Sequence, residues 1–237
     1  FANMNRLLSR HGGGYLTKSK ETNQFAQMFI SNFVPELLNA YGKIIESWSN
    51  KTAWLSEISL YHMISFLEQI IETPAWSLIS DKLDAIIRHV ILPTLVATPE
   101  TVELYEDDAD EYIRRFFDIN REQSTSDVAS INFIYRLSNK KFKLTIGMVC
   151  QIINEIFTER RNNSESSDTA MKVEGGLRIL STISYKLDSK FSPVAGQVDN
   201  LLFTFVYPEL LQDCASKTPW LTARACDTIA MFHDHQY

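Results

Sequence analysis

Glycine and proline are scarce in this sequence. Its 237 residues include 8 Gly and 7 Pro, which is about half the share found in an average soluble protein. Because both residues are concentrated in turns, a β architecture with many tight turns is disfavoured. With 45% hydrophobic and 22% charged residues, the chain otherwise has an ordinary globular composition. Its length allows one large domain or two small ones.

Three further absences limit the possible functions. The three cysteines, at positions 150, 214 and 226, form no C-x-x-C pair, which is typical of reduced thiols in a cytosolic or nuclear protein. No run of 18 apolar residues is present, so no membrane-spanning helix is predicted. The formal net charge is −6, whereas proteins that bind nucleic acid usually carry a basic excess. We therefore expect no direct binding to nucleic acid.

Apolar residues recur at helical spacing over most of the chain. In segments such as 25–48 and 55–71 they lie three or four positions apart, which predicts helices with one broad buried face. Small residues at Ala129, Gly175 and Ala225 occupy similar places in three such helices, at offsets of 46 and 50 residues. Periods in the forties with two helices per unit are typical of HEAT or armadillo repeats.

A proline recurs in the second helix of three predicted pairs. The strings FVPELL, VILPTL and VYPELL contain Pro35, Pro93 and Pro208. Because proline removes a backbone donor and clashes with the preceding turn, each should bend its helix. We predict an all-α HEAT-repeat solenoid of stacked antiparallel helix pairs in a single segment. The expected repeats cover approximately 1–50, 53–97, 125–160 and 168–214, with the start of the next at 219–237. In the second repeat the two helices are expected at about 53–72 and 75–97, and in the third at about 125–139 and 142–160.

An acidic segment interrupts these repeats at about 98–124. The string ELYEDDADEYIRRF has six acids between Glu103 and Glu111. As a calcium loop it lacks the central glycine and the acid at position twelve. Adjacent carboxylates in a solvated segment, without a pocket-forming motif, do not suit acid–base catalysis. A solvated surface loop and a docking surface for a basic partner both remain open.

Within this segment we expect two sets of residues with different roles. The acids should face solvent or a partner, and the aromatic residues after them have helical spacing and should anchor the segment to the core. The candidate partner-binding residues are Asp107, Asp108, Asp110 and Glu111. The candidate anchor residues are Tyr112, Ile113, Phe116 and Phe117. Arg114 and Arg115 could neutralise part of the acidic run within the chain.

Other strings with catalytic or metal-binding potential are incomplete. HGGG at 11–14 is like the oxyanion-hole string of esterases, but the chain has no G-x-S-x-G nucleophile elbow. His233 and His235 are two residues apart, and such residues on a helix point to different faces. We therefore predict a non-catalytic protein with no cofactor and no metal site.

The acidic segment also carries a family resemblance. YEDDADEYIRRF resembles the E-D-x-x-E-Y-I-R segment in the central portion of the importin-β superfamily of nuclear transport receptors, with Ala109 where that pattern has proline. TIGMVCQIINEI at 145–156 and the stretch from Tyr207 to Phe232 resemble the branch of importin 7 and importin 8 and its fungal relatives. The likeness covers roughly 90–237, and we expect the chain to be a central section of such a receptor.

The resemblance implies a function by binding alone. Such a receptor would carry basic protein cargo, for example ribosomal proteins or histones, contact phenylalanine-glycine (FG) nucleoporins, and be regulated by the GTPase Ran. The main Ran site of the family lies in its N-terminal repeats, outside a central section. The implied location is the cytoplasm, the nucleus and the nuclear pore. The alternative is a HEAT-repeat structural scaffold, such as a phosphatase or cohesin subunit, without a transport role.

Overall fold

A computed structural model describes residues 1–11, 20–118, 124–211 and 216–234 of the chain. These residues form an all-α fold of the HEAT-repeat solenoid class, and no β-strand occurs among them. The chain divides into two compact units. Unit 1 comprises Phe1–Ile91 and Ser124–Lys141, and unit 2 comprises Leu92–Gln123 and Phe142–Tyr237.

The helices are numbered in chain order, and short π and 3₁₀ turns lie between some of them. They are α1 (Ala2–His11), α2 (Lys20–Met28), α3 (Val34–Ser49), α4 (Glu57–Ile70), α5 (Leu83–Ile86), α6 (Leu92–Leu95), α7 (Pro99–Asp107), α8 (Ala109–Phe117), α9 (Ser126–Lys140), α10 (Phe142–Asn162), α11 (Ser167–Ile183), α12 (Val198–Leu201) and α13 (Pro219–Asp234).

Unit 1 is organised around the packing of α4 against α9. Both helices place large apolar side chains in this contact, and Phe66 and Phe133 are fully buried. Helix α1 also packs on α4, where the Asn5 side-chain amide donates a hydrogen bond to the His62 carbonyl oxygen at 2.8 Å. The Glu57 carboxylate, in the first turn of α4, accepts a 2.6 Å hydrogen bond from the Ser126 amide. This bond fixes the beginning of α9 beside α4.

Unit 2 is organised around α11, which packs against α10, α13 and α6. The approach of α6 is very close, because a Cβ atom added to Gly175 would lie 3.0 Å from the backbone nitrogen of Val96. Nearby, the amide of Ala97 donates to the Met171 carbonyl at 3.2 Å. Gly176, on the α10 side, would meet Ile156 at 3.2 Å. Because Gly175 and Gly176 have no side chains, α6 and α10 can both approach α11 closely.

Each of the three recurrent prolines follows a π-helical turn in the same register. The π turns are Phe29–Phe33, Ile87–Ile91 and Leu202–Val206, and each ends two residues before its proline. In the first and the last, the residue before the proline donates to a carbonyl five positions back, as Tyr207 does to Leu202. Because proline has no N–H to continue the α ladder, the wider turn supplies a different pattern of backbone bonds.

Two predicted segments differ from what the structure shows. The stretch 75–97, expected as one helix, consists of the 3₁₀ turns Pro74–Leu78 and Ser80–Lys82 followed by α5, a π turn and α6. The acidic segment, for which a solvated surface loop was one of the two interpretations, forms the two helices α7 and α8. None of the helices within the described ranges has an apolar stretch long enough to cross a membrane.

Candidate functional site: the acidic helix pair

Local sequence explains why the acidic segment is helical. Thr98 and Thr101 form a capping box at the start of α7, in which each side chain accepts from the other residue's backbone amide at 3.2 Å. Pro99 occupies the first helical position, where its missing N–H costs nothing. Asp108 interrupts the pair, with φ −151° and ψ 87°. Its carboxylate accepts a 2.9 Å hydrogen bond from the Glu111 amide and so caps α8.

The four candidate partner-binding acids do not have equal freedom. Asp107, Asp108 and Asp110 are exposed, and Asp107 and Asp110 are the two without a capping role. Glu111 is half-buried and forms an ion pair with Arg114 at 3.3 Å, one turn along the helix. Of the four acids, Asp107 and Asp110 are therefore the most available to a partner. Asp108 and Glu111 also make contacts within α8.

Tyr112 attaches α8 to α13 within unit 2. Its side chain is 1% exposed, and its hydroxyl donates to the Trp220 carbonyl oxygen at 3.3 Å. Its ring contacts Tyr105 edge-on at 5.2 Å, so that both helices of the pair share the anchor. Burial, and then the nearby Glu174 carboxylate, raise the pKa of the Tyr112 hydroxyl. The phenol therefore stays neutral and keeps its proton for the carbonyl of Trp220.

The other predicted anchor residues are placed less uniformly. Phe116 and Phe117 are half-buried and contact the Tyr112 ring with centroid distances of 5.1 and 5.8 Å. Ile113, in contrast, is 44% exposed. Its inclusion in the anchor was wrong, because α8 turns about 100° per residue and the position next to Tyr112 faces away from the core. The buried side of α8 consists of Tyr112 and the two phenylalanines.

A buried charged cluster lies beneath α8. The guanidinium of Arg224, on α13, donates to Glu174 of α11 at 2.9 Å and to Asp227 at 3.1 Å. The same guanidinium lies 4.0 Å from the centroid of the Phe117 ring. Arg224 and Glu174 are both almost fully buried, and a buried charge is tolerated when it is paired and hydrogen-bonded. The cluster therefore joins α8, α11 and α13.

Arg178 adds a second cation to this region. It lies one turn after Glu174 on α11, is buried, and donates to the Leu95 carbonyl at 3.4 Å. Sequence reasoning missed these charged residues because they occur inside helices read as apolar. One signal was present, since Glu174 and Arg224 each precede one of the recurring small residues at the same offset of 50 positions. Opposite charges at equivalent repeat positions indicate contact between successive repeats.

The remaining candidate motifs lie partly outside the described residues. The glycines of HGGG and residue His235 lie outside the described residues. Among residues that the structure does describe, no group of three or more His, Cys, Asp or Glu side chains could hold a metal ion. Cys150 and Cys226 are both free thiols, and Cys214 lies in a part of the chain outside the described ranges.

Unit 1 contains an apolar groove of about 490 Å³. One wall is α3 and the other is the stretch from Leu78 to Val90. Most of the lining is aliphatic, and the exposed Gly42 and several polar residues complete it. The lining includes Leu38, Tyr41, Ile45, Leu78, Ile86 and Val90.

Comparison with known proteins assigns the chain to a family. The sequence model of the family named Cse1 matches residues 18–235. The chain belongs to the Cse1 family. It is therefore a member of the importin-β superfamily, and the resemblance drawn from YEDDADEYIRRF is confirmed. Both the acidic helix pair and the groove of unit 1 lie within the matched range of this Cse1-family chain.

Several curated proteins are similar to this Cse1-family chain. Nonsense-mediated mRNA decay protein 5 of Saccharomyces cerevisiae is 30% identical over 229 residues, covering 95% of this chain and 22% of that protein. Importin beta-like SAD2 homolog of Arabidopsis thaliana is 22% identical, covering 93% and 22%. Importin-8 of Homo sapiens is 24% identical, covering 96% and 21%. The chain spans about a fifth of the length of these relatives, and no solved structure matches it.

Proposed function

We propose that this chain acts as a segment of a nuclear transport receptor and works by binding, without catalysis. The observation that carries the proposal is the family match over 18–235, supported by relatives that include importin-8 of mouse and of human. Its place of action would be the cytoplasm, the nucleus and the nuclear pore. A transport receptor needs surfaces for cargo and for the pore, and the two units offer one candidate for each.

The cargo surface in this proposal is the acidic helix pair. Its carboxylates stand on two capped helices held by Tyr112, so the charge is fixed in place before a partner arrives. Pre-ordered charge attracts an oppositely charged partner and lowers the ordering cost of binding. Asp107 and Asp110 are the exposed acids without an internal role. The surface therefore suits basic protein cargo such as ribosomal proteins or histones.

The groove of unit 1 is the candidate contact for FG nucleoporins. Its volume of about 490 Å³ is within the range of sites that take an aromatic side chain and its neighbours. Gly42 has no heavy atom within 4 Å of an added Cβ position, so the opening is unobstructed there. A phenylalanine entering between α3 and the π turn would contact mainly aliphatic side chains.

Ran would act as a regulator of this segment, chiefly through contacts outside it. Ran-GTP and cargo would favour different curvatures of the repeat array, so that each lowers the affinity of the other. The π turns before Pro35, Pro93 and Pro208 are the places where curvature could be set. Hydrogen exchange with and without cargo would show altered protection around these turns if the idea holds.

A binding assay tests the proposal. The chain is immobilised and exposed to an FG-repeat polypeptide and to a fluorescent basic peptide from a histone tail, at about 20 mM and about 150 mM salt. We expect both probes to bind. The variant Asp107→Lys/Asp110→Lys should weaken the basic peptide by about tenfold at low salt, with a smaller effect at high salt, and leave the FG repeats unaffected.

The matched control changes the same net charge elsewhere. Glu36 and Asp81 are exposed acids of unit 1, and Glu36→Lys/Asp81→Lys should leave the basic peptide bound with nearly wild-type affinity. Equal loss in both double variants would reduce the effect to net charge and remove the helix pair as the cargo surface. Absence of binding to both probes would favour the structural scaffold instead.

A further inference from the structure

A second charged surface of unit 2 has the opposite sign. At the start of α10 and in the stretch after α11, lysines gather around one phenylalanine ring. The ammonium group of Lys143 lies 4.0 Å from the centroid of the Phe191 ring, and that of Lys190 lies 5.1 Å from it. Phe191 is itself 44% exposed, so the ring and both cations face solvent. Leu144, next to Lys143, is 75% exposed.

These two lysines have no internal anion to balance them. Within the described part of the chain, neither Lys143 nor Lys190 lies within ion-pair distance of a carboxylate. The acid two residues before Lys190, Asp188, accepts a 2.7 Å hydrogen bond from the Gly196 amide. Two ammonium groups beside one ring repel each other unless an anion approaches. In a chain of net charge −6, such a local excess of positive charge is a specific feature.

A pocket of about 230 Å³ lies farther along the same helix. It is bounded by α10, α11 and the stretch from Leu187 to Phe205. Aliphatic side chains form much of its lining, and polar side chains from three elements line it as well. These polar residues are Cys150, Asn154, Gln197, Asn200 and Thr204.

The lysines and the pocket share one face of α10. Lys143, Gly147, Cys150 and Asn154 follow each other at spacings of four, three and four residues, which places them in one stripe of a helix. Gly147 is exposed and has no heavy atom within 4 Å of an added Cβ position. The stripe is therefore open between the cationic end and the pocket. Seven residues of helix separate Lys143 from Cys150, a distance of about 10 Å.

We propose that this face of α10 binds an acidic peptide segment that carries an aliphatic anchor residue. Its carboxylates would pair with Lys143 and Lys190 beside the Phe191 ring, and its anchor would enter the pocket at Cys150. An extended chain covers about 10 Å in three residues, so the anchor follows the last acid by three positions. Amide groups of Asn154, Gln197 and Asn200 are available for the backbone of such a peptide.

An extended nucleic acid is a less suitable occupant. Lysines around an exposed aromatic ring can stack a base and hold phosphates. However, the pocket beyond the lysines is lined mainly by apolar side chains, which a phosphate backbone would not fill. A short acidic segment with one apolar residue matches both halves of the surface.

Fluorescence anisotropy with a labelled peptide tests the proposal. The probe is GSDEDGGLGS, with the leucine three positions after the last acid, measured against the whole chain at about 20 mM salt. We expect saturable binding that weakens about tenfold or more in Lys143→Glu/Lys190→Glu, which corresponds to about 1.4 kcal/mol. The charge-matched control Lys43→Glu/Lys51→Glu, two exposed lysines of unit 1, should stay within about twofold of the wild type.

Two further measurements separate the halves of the surface. Gly147→Phe introduces a ring into the open stripe and should abolish binding, while its circular dichroism stays that of the wild type. Bound peptide should also slow alkylation of the Cys150 thiol and leave the exposed Cys226 thiol unchanged, as read by mass spectrometry. A peptide with serine in place of leucine should lose this protection.

Three results would overturn the proposal. Equal affinity for a peptide with lysines in place of its acids would remove the role of the cations. Equal weakening in the unit 1 control would reduce the effect to net charge. Tighter binding of a single-stranded oligonucleotide that depends on Lys143 and Lys190 would assign the surface to nucleic acid.

Discussion

Both units use ion pairs to join helices that are distant in sequence, but they use them in different environments. In unit 2, Arg160 pairs with Glu209 at 3.0 Å with side chains only 7% and 6% exposed. In unit 1, Arg136 pairs with Glu68 at 2.7 Å and with Glu72 at 2.8 Å, and its side chain is 36% exposed. The geometry of the contacts is similar, whereas their exposure to water differs.

That difference determines what each pair contributes. In an exposed ion pair, each charged group loses hydration when it gains its partner, so the pair contributes about 1 kcal/mol or less to the free energy of unfolding. A buried pair adds little net stability as a pair, but removing one partner leaves a buried charge without compensation. Arg160 also donates to the carbonyls of Ser164 and Ser166, so it holds the connection between α10 and α11. The pairs of unit 2 therefore specify the arrangement of its elements more than they stabilise it.

The largest expected effect comes from breaking a buried pair on one side. Glu209→Leu leaves the Arg160 guanidinium buried without its carboxylate, and we expect a loss of about 3–5 kcal/mol in the free energy of unfolding. The same measurement, urea denaturation followed by circular dichroism, should give about 1 kcal/mol or less for Arg136→Met in unit 1. Similar losses in the two variants would remove the distinction between the units.

A smaller effect is expected where α6 approaches α11. Gly175→Ala introduces a Cβ atom 3.0 Å from the Val96 backbone, so the two segments must separate, and we expect a cost of about 1–3 kcal/mol. Gly147→Ala is the control on α10, where the added carbon meets nothing within 4 Å. There the helix should gain about 0.5–1 kcal/mol, because alanine is the better helix former. Thermal unfolding of both variants measures the difference, and a stabilised Gly175→Ala variant would contradict the close approach.

The smallest effect concerns the pH dependence of unit 1. Lys140 and Arg136 hold the pKa of the Glu72 carboxyl below its ordinary value. Stability from a lowered carboxyl pKa is present above the ordinary pKa of 4.5 that the group has in the unfolded chain, and it is lost as the pH falls through the folded value. Because Glu72 is partly exposed, we expect less than about 1 kcal/mol.

The measurement is urea denaturation at several pH values between about 3 and 7, comparing the wild type with Glu72→Gln. The variant should be less stable near neutral pH and equal to the wild type at the acidic end. The neighbouring Glu68 serves as a contrast, since burial raises the pKa of its carboxyl despite the contact with Arg136. Its contribution to stability therefore falls as the pH rises. A Glu72→Gln variant with an unchanged pH profile would contradict the assignment.

Helix positions were the most predictable part of the fold. The predicted helices at 125–139 and 142–160 correspond to α9 and α10, and the last helix begins at Pro219 as expected. Apolar spacing carries this information because each helix buries one face. The same spacing could not show that 75–97 is broken into short turns, since 3₁₀, α and π segments share similar local patterns.

The candidate site was predictable in outline but not in its contacts. The acidic string showed where exposed charge and aromatic anchors would lie. It could not show that Asp108 is a helix cap, because capping depends on where the backbone leaves the helix. It could not show the Arg224–Glu174 pair either, because the partners are 50 residues apart and meet only through packing. Long-range contacts of this kind are set by tertiary structure.

The π turns before the prolines change which residues of these helices face the core. In an ideal α-helix, two successive steps of four residues drift by about 80° around the axis. Leu83, Ile87 and Ile91 take two such steps, yet all three remain buried. The wider turn holds more residues per revolution and so cancels the drift. In related sequences, the helical wheel should therefore be drawn separately before and after each proline. Before the proline, the residues at every fourth position mark the side of the helix that faces the core.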